Sequence, residues 1–419
     1  MVSPAKPTER RDRAVTLAVL VAALGYFVDI YDLILFGTVR KASLVELGYT
    51  GDALTNKGLL LFNMQMGGLI LGGILWGMLG DKRGRLSVLF GSIVTYSLAN
   101  LANGTVTSIE GYAVCRAIAG IGLAGELGAG ITLVSELMDK RRRGIATAIV
   151  AGVGICGGVA AGIIGGGIPA IWEGAYWRNA YYIGGGMGLA LLALRVGVTE
   201  SGMFAKVAAT GGSRGNFLRL FTRDRFGRYL GLVAVGVPVW YVIGILVTFS
   251  DRVGGSLGLH PEPRPATALM FAYAGCAAGD VTSGLISQWL GSRRRAIAWF
   301  IGGTAIAVVA YFTLGPTSST AFYACCTLLG FASGYWAVFV TTAAEQFGTN
   351  LRATVATTTP NFVRGSAVLL AIGFQALQEP LGAAGAAAGV GVFSIGVAII
   401  GLVTLRETFG VDLDFTEDG

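Results

Sequence analysis

Twelve runs of about 20 apolar residues, separated by short polar stretches, restrict what this chain can fold into more than any other feature. A helix rises 1.5 Å per residue, so each run spans the roughly 30 Å hydrocarbon layer of a bilayer. The runs lie at roughly 14 to 38, 57 to 79, 86 to 103, 110 to 138, 145 to 168 and 177 to 197. A second six follow at roughly 229 to 251, 266 to 289, 296 to 315, 320 to 344, 354 to 378 and 385 to 405. The expected fold is an all-α membrane protein of twelve transmembrane helices, with both termini on one side.

Composition agrees: 53% of the 419 residues are hydrophobic and 13% charged, where soluble domains carry about 25% charged. Glycines fall largely inside the apolar runs, as in Gly68-x-x-x-Gly72 and Gly73-x-x-x-Gly77, where they let helices approach closely. No Gly-X-Y period exists, which excludes a collagen-like chain. Cys115, Cys156, Cys276, Cys325 and Cys326 have neither metal-ligand spacing nor a loop framework and read as packing residues. No metal or cofactor is expected.

Lysine and arginine number 22 in the loops on the terminal side and six, namely Arg40, Lys41, Lys57, Arg178, Arg252 and Arg264, in the loops opposite. That asymmetry predicts cytoplasmic termini, and it makes the formal charge of +7 a topology signal with no nucleic-acid partner. The longest polar interruption, 199–228, is the expected linker between a six-helix lobe at 1–198 and another at 229–419. A repeat supports the division. Glu136-x6-Arg143 joins the fourth and fifth runs, and Glu345-x6-Arg352 joins the tenth and eleventh, as in a duplicated carrier.

Between the second and third runs the chain reads Gly77-Met-Leu-Gly-Asp81-Lys-Arg-Gly84-Arg85. This resembles the cytoplasmic signature loop of the major facilitator superfamily, in which Gly77 would allow tight helix contact and Asp81 would meet a helix terminus or an arginine across the lobes. The resemblance implies gating roles for Gly77, Asp81, Arg85, Glu136, Arg143, Glu345 and Arg352. Its second-half counterpart is degenerate, with Gln288 at the Asp position. Arg116-Ala-Ile-Ala-Gly120-Ile-Gly122 is similar to a family segment linked to proton coupling. Gly25-Tyr-Phe-Val-Asp29-Ile-Tyr31-Asp32 with Gly120 to Glu126 looks like phosphate:proton symporters and metabolite:proton symporters alike. Arg364 falls where the phosphate symporters place a substrate-binding lysine, whereas Gly244 stands where they carry an acid, which turns the expectation from phosphate towards an organic anion.

Six ionisable residues stand out deep within the runs: Asp29, Asp32, Arg116, Glu126, Asp280 and Arg364. A charge at bilayer depth is costly and is retained only when it is paired, lines water or does chemistry. Matched depths make Asp32 and Arg116 a candidate pair, and Asp29, Asp32, Glu126 and Arg116 the expected proton-coupling set. In that scheme Arg116 approaches and withdraws from Asp29 or Glu126 and so switches their affinity for a proton. Arg364, with a planar fork suited to a carboxylate, is the expected substrate clamp. Tyr31, Gln65, Trp240, Tyr241, Tyr335, Trp336 and Asn361 are candidate lining residues, and Asp280 is a possible second proton site or a helix contact.

These features predict a monomeric, proton-coupled symporter in the cell membrane. Its partners are protons, the lipid bilayer and a small anionic or zwitterionic substrate: a carboxylate first, then an amino acid or betaine, then inorganic phosphate. An enzyme is not expected, since no membrane His, metal spacing or nucleophile elbow is present. A non-transporting membrane sensor is the remote alternative.

Overall fold

The structure is a computed structural model and describes residues 7–83, 85–126, 128, 143–167, 177–195, 220 and 222–411. Every regular element among them is helical. The α-helices of ten or more residues are, in chain order, α1 (Pro7–Glu46), α2 (Gly51–Arg83), α3 (Arg85–Asn103), α4 (Ile109–Leu123), α5 (Arg143–Gly162), α6 (Trp177–Arg195), α7 (Arg223–Tyr241), α8 (Pro265–Leu290), α9 (Arg293–Thr313), α10 (Ser319–Ser333), α11 (Trp336–Glu345) and α12 (Thr349–Thr404). Seven described stretches are long and apolar enough to cross a membrane. Most of the expected linker lies outside the described residues.

Where serine precedes a run it starts the helix. Ser108, Ser292 and Ser318 accept from the backbone N–H groups of Gly111, Arg295 and Ala321 at 3.1–3.2 Å, which satisfies donors the first turn leaves free. The last two expected runs form one helical stretch, α12, bent at Gly382, whose φ of 68° and ψ of 173° no other residue adopts readily.

Two runs expected to be continuous are broken, at equivalent places in the two halves of the chain. α4 stops at Leu123 and turns through Ala124 and Gly125, short of the expected end at 138. The tenth run divides between Ser333 and Trp336 into α10 and α11. Each break leaves backbone groups without helical partners, which in a membrane interior must be satisfied elsewhere. Trp76 Nε1 donates to Ile121 O at 2.6 Å, Asn361 Nδ2 donates to Ala124 O at 2.8 Å, and Ala337 N donates to Asp280 Oδ1 at 3.1 Å.

Small residues set the helix contacts, and they do so twice. A Cβ at Gly68 or Gly72 would run into the Ala117 or Ile121 carbonyl of α4, and one at Gly120 into Gln65 O of α2. In the second half a Cβ at Gly275 or Gly279 would meet Thr327 O or Phe331 O of α10, and one at Gly330 would meet Ala272 O of α8. The same reciprocal backbone contact is therefore built in each half. Gly73 and Gly77 face α12 instead, over Asn361 and Thr358, so the two Gly-x-x-x-Gly motifs of α2 serve different neighbours. Gly72→Val is expected to force α2 from α4 at a cost of about 1–3 kcal/mol, while Gly67→Val, which meets nothing within 4 Å, is neutral. Thermal unfolding in detergent checks this: equal melting temperatures for the two variants would contradict the packing described.

Candidate functional site

The site begins with irregularities that sequence makes unavoidable. Pro238 lacks an N–H, and α7 continues past Tyr241 as a wider turn over Val242–Val247, where Thr248 N bonds back five residues to Ile243 O at 3.1 Å. This brings Trp240 and Ile243 to one wall of an interior cavity. The α10–α11 break supplies another wall through Ser333, Gly334 and Trp336, and α1 a third through Tyr26, Ile30 and Leu33. Tyr273 and Asp280 of α8 and Arg364 of α12 add their side chains to the lining. The wall is mostly aromatic and aliphatic, with charge confined to Asp280 and Arg364.

Arg364 forms an ion pair with Asp29, Nη2 to Oδ2 at 3.2 Å, and both side chains are buried at 1% and 0% exposure. The two residues are 335 positions apart, so the pair ties α1 to α12. It uses one donor of the guanidinium and one oxygen of the carboxylate: Arg364 Nε and Nη1 and Asp29 Oδ1 have no hydrogen-bond partner. Trp336 lies 6.0 Å from the guanidinium, ring centroid to Cζ. Asp280 commits Oδ1 to the start of α11, where an anion also suits the helix dipole, and leaves Oδ2 unbonded.

The other buried charges are held in two different ways. Asp32 and Arg116 are neighbours, but no hydrogen bond joins them, and the guanidinium lies against the rings of Phe36 and Tyr181 at 5.4 and 5.6 Å. Equal depth fixes one coordinate of a helix residue; the rotation of α4 turns Arg116 towards aromatic faces. Glu126 is held by Arg195, Nη2 to Oε2 at 2.7 Å and Nη1 to Oε1 at 3.1 Å, and by Ser92 Oγ at 2.9 Å. The expected approach of Arg116 to Asp29 or Glu126 is thus not what this geometry offers: Arg364 and Arg195 occupy those places. Arg195 went unnoticed in sequence although it lies inside the sixth run.

Of the candidate lining residues, Trp240 and Trp336 face the cavity. Tyr31 donates to Ala180 O at 2.9 Å, Gln65 to Leu33 O at 3.3 Å and Tyr335 to Val235 O at 2.8 Å, all buried between helices. Tyr241 packs its hydroxyl against Gly391, and Asn361 serves the α4 break. These five are not among the cavity-lining residues, because each polar atom is turned to a backbone group or a neighbouring helix.

Among the gating candidates, Gly77 packs on Thr358. Glu345 accepts from Thr408 Oγ1 at 2.7 Å and pairs with Arg293 at 3.5 Å. Nearby, burial opposes ionisation of Glu407, yet bonds from Ser292 and the amides of Phe409, Arg293 and Thr408 hold it below its ordinary pKa. Glu136 lies outside the described residues, and for Asp81, Arg85, Arg143 and Arg352 only the helical backbone is described.

A charged cluster the sequence did not single out closes the end of the bundle that carries the 46–51 turn. Arg40 binds Asp251 at 2.6 Å with 1% and 6% of the two side chains exposed, and its Cζ lies 4.5 Å from the Phe249 ring centroid. Lys41 pairs with Glu262 at 2.7 Å, and Arg252 pairs with Asp52. All three pairs join the first half of the chain to the second. Asp251 ends the expected seventh run, so a charge at the margin of an apolar stretch was the available signal.

Residues 15–372 match the family model described as Major Facilitator Superfamily. A protein named probable 4-methylmuconolactone transporter, from Cupriavidus pinatubonensis (strain JMP 134 / LMG 1197), is 25% identical over 412 residues, covering 93% of this chain and 90% of that protein. The sialic acid transporter NanX of Escherichia coli (strain K12) is 31% identical over 168 residues, 40% of each chain. The crystal structure of a D-xylose-proton symporter shares the fold, with a TM-score of 0.73 at 18% identity over 95% of this chain and 100% of that one. The chain belongs to the Major Facilitator Superfamily and is a multi-pass membrane transporter of small molecules, not an enzyme.

Proposed function

We propose that the protein is a proton-coupled symporter of the cell membrane that takes up a small organic carboxylate by alternating access between two six-helix lobes, 1–198 and 229–419, joined by the 199–228 linker. Both termini are cytoplasmic in this reading, so the Arg40–Asp251 end is the outer one. The twice-built glycine contact and the paired breaks in α4 and α10–α11 support the two-lobe division.

The observation that carries the coupling is the Asp29–Arg364 pair at the cavity. Arg364 keeps two donors, Nε and Nη1, free of protein partners, and its fork can take a carboxylate bidentately. An ionised Asp29 competes with an incoming carboxylate for that guanidinium. A proton on Asp29 removes the competitor and frees Arg364 for the anion, so proton and substrate load together and leave together. The apolar walls, with Trp240, Tyr273 and Trp336, suit an acid with a flat or cyclic apolar body better than inorganic phosphate. Sialic acid in the name of one relative is likewise an organic acid.

Asp280 favours a second reading, a zwitterion. Its free Oδ2 at the cavity wall would accept an ammonium or a hydroxyl while Arg364 holds the carboxylate.

Proteoliposomes test both. Accumulation of radiolabelled carboxylates is expected to follow an inward proton gradient and to collapse with a protonophore. If no carboxylate responds to the gradient the coupling is wrong, and if amino acids or betaines displace the bound ligand while plain carboxylates do not, the anion reading gives way to the zwitterion.

A further inference from the structure

The interior of the first half holds a column of polar side chains that the substrate cavity does not use. On α3, Tyr96, Ser97, Asn100 and Asn103 recur at helical spacing, so they share one broad face. All four are 0% exposed, as are Asp32 and Arg116. Among the described residues these six contribute eleven side-chain nitrogen and oxygen atoms without a hydrogen bond of full geometry: both oxygens of Asp32, three nitrogens of Arg116, both amide atoms of Asn100 and Asn103, Ser97 Oγ and Tyr96 Oη, the Asp32 carboxyl and the Asn100 amide alone lying close enough to share a bond.

The groups are contiguous. A Cβ at Gly184 of α6 would land on Asp32 Oδ1, and one at Gly188 on Ser97 Oγ; four residues of helix separate these contacts by about 6 Å. Asn100 lies beside the Asp32 carboxyl, Arg116 and Asp29 supply the charges nearest to it, and Tyr31 and Tyr181 face the same region. Towards the outer end Asn103 is two residues from exposed Thr105. At the inner end the column stops on Glu126, whose oxygens are already taken by Arg195 and Ser92.

A buried polar atom without a partner costs about 1–3 kcal/mol, and a fold does not sustain so many in one place unless water fills the need. Polar, roomy interiors hold such water, each molecule making about three bonds. We infer that α1, α3, α4 and α6 enclose a hydrated channel running from Asn103 past Asn100 and Ser97 to Asp32, through which protons reach the acid pair of α1 from the outer side without passing the substrate cavity. Asp29 and Asp32 are three residues apart on one helix, Asp29 turned to Arg364 and the cavity, Asp32 to the channel. The route ends outwards at Asn103, itself buried but two residues from exposed Thr105, and inwards at the Glu126–Arg195 pair. Substrate and proton thus enter by different doors and meet at α1.

The inference rests on the proton-coupled reading, and the experiment separates the two. Wild-type protein in nanodiscs is exposed to brief pulses of radiolytic hydroxyl radical, which oxidises side chains next to bound water. Tyr96, though 0% exposed, is expected to oxidise at least fivefold faster than Tyr335, a buried tyrosine bonded to a backbone carbonyl. Equal protection of the two tyrosines overturns the channel whether or not transport is proton-driven. In proteoliposomes Asn100→Leu is expected to keep substrate counterflow at symmetric pH within about twofold of wild type and to lose at least tenfold in proton-driven accumulation. Loss of both in step, or of neither, also overturns it. Failure of the wild-type protein itself to couple to protons overturns the symporter reading instead, and the radical footprint still reports on the water.

Discussion

Under the proposed coupling, Asp29→Asn is expected to bind a carboxylate substrate at least as tightly as the native protein does, to lose the pH dependence of that binding, and to fail at uphill accumulation. The reason is the competition at Arg364. In the native protein Asp29 Oδ2 holds Nη2 at 3.2 Å within a site buried from water, where close charge pairs couple by about 1.5–7 kcal/mol. While Asp29 is ionised the substrate must displace it; once it is protonated the guanidinium is free. The sign follows directly. Native affinity for the anion rises as pH falls, by up to about tenfold per pH unit for one linked proton, since a unit of pH is worth about 1.4 kcal/mol. Asparagine has no proton to exchange, so the affinity of the variant stays flat across the same range. Arg364→Lys, which keeps the charge but loses the fork, is expected to weaken binding by about two orders of magnitude. Ligand-induced thermal stabilisation measured from pH 5 to 8 checks all three proteins, because a ligand confined to the folded state raises its stability with concentration over Kd. A pH slope in Asp29→Asn equal to the native one would remove Asp29 from the coupling.

Arg40→Asp is expected to open the end of the bundle that the proposed orientation makes the outer one. Removing one partner of a buried ion pair costs about 3–5 kcal/mol, because the other charge stays buried and uncompensated; here Asp251 would face a second acid beside Phe249. That cost falls only on the state in which α1 meets the Ser250–Ser256 turn, so the equilibrium moves towards the outward-open state by about a hundredfold or more. Lys41–Glu262, half exposed, contributes little. Cys276 at the cavity wall is a native reporter. With exposed Cys156 and half-buried Cys115 replaced by Ser, maleimide applied from outside is expected to label Cys276 about a hundredfold faster in Arg40→Asp than in the parent. The double swap Arg40→Asp with Asp251→Arg is expected to recover much of the slow rate. Unchanged labelling in the single variant would mean that the pair decorates the outer end without holding it shut.

Both predictions depend on contacts that link distant parts of the chain, and these divide what sequence could disclose from what it could not. The helical class and the positions of most helices were legible because hydropathy is local: a run of about 20 apolar residues meets the bilayer constraint wherever it lies. The signature loop at Gly77–Arg85 and the identity of Asp29, Arg364 and Asp280 as unusual were legible for the same reason, since a charge inside such a run is conspicuous on its own. The breaks at Ala124 and Gly334 were hidden, because their flanks are apolar and only the close contact with α2 and α8, and the side chains of Asn361 and Asp280 that satisfy the freed backbone, make a break tolerable. Arg195 and Asp251 lie near the ends of their runs, where a charge normally reaches water, so neither is conspicuous in the sequence.

What the sequence alone determined is the solvent of this protein, its helical class and the small set of charges placed where charge is expensive. Which charge meets which was decided by tertiary structure. Depth in the bilayer can be counted along one helix, but partnership depends on the rotation of each helix about its axis and on which neighbours pack against it, and those follow from glycines in contact with carbonyls on other helices. That is why Arg364 reaches Asp29 across 335 residues, while Arg116, level with Asp32, rests against aromatic rings.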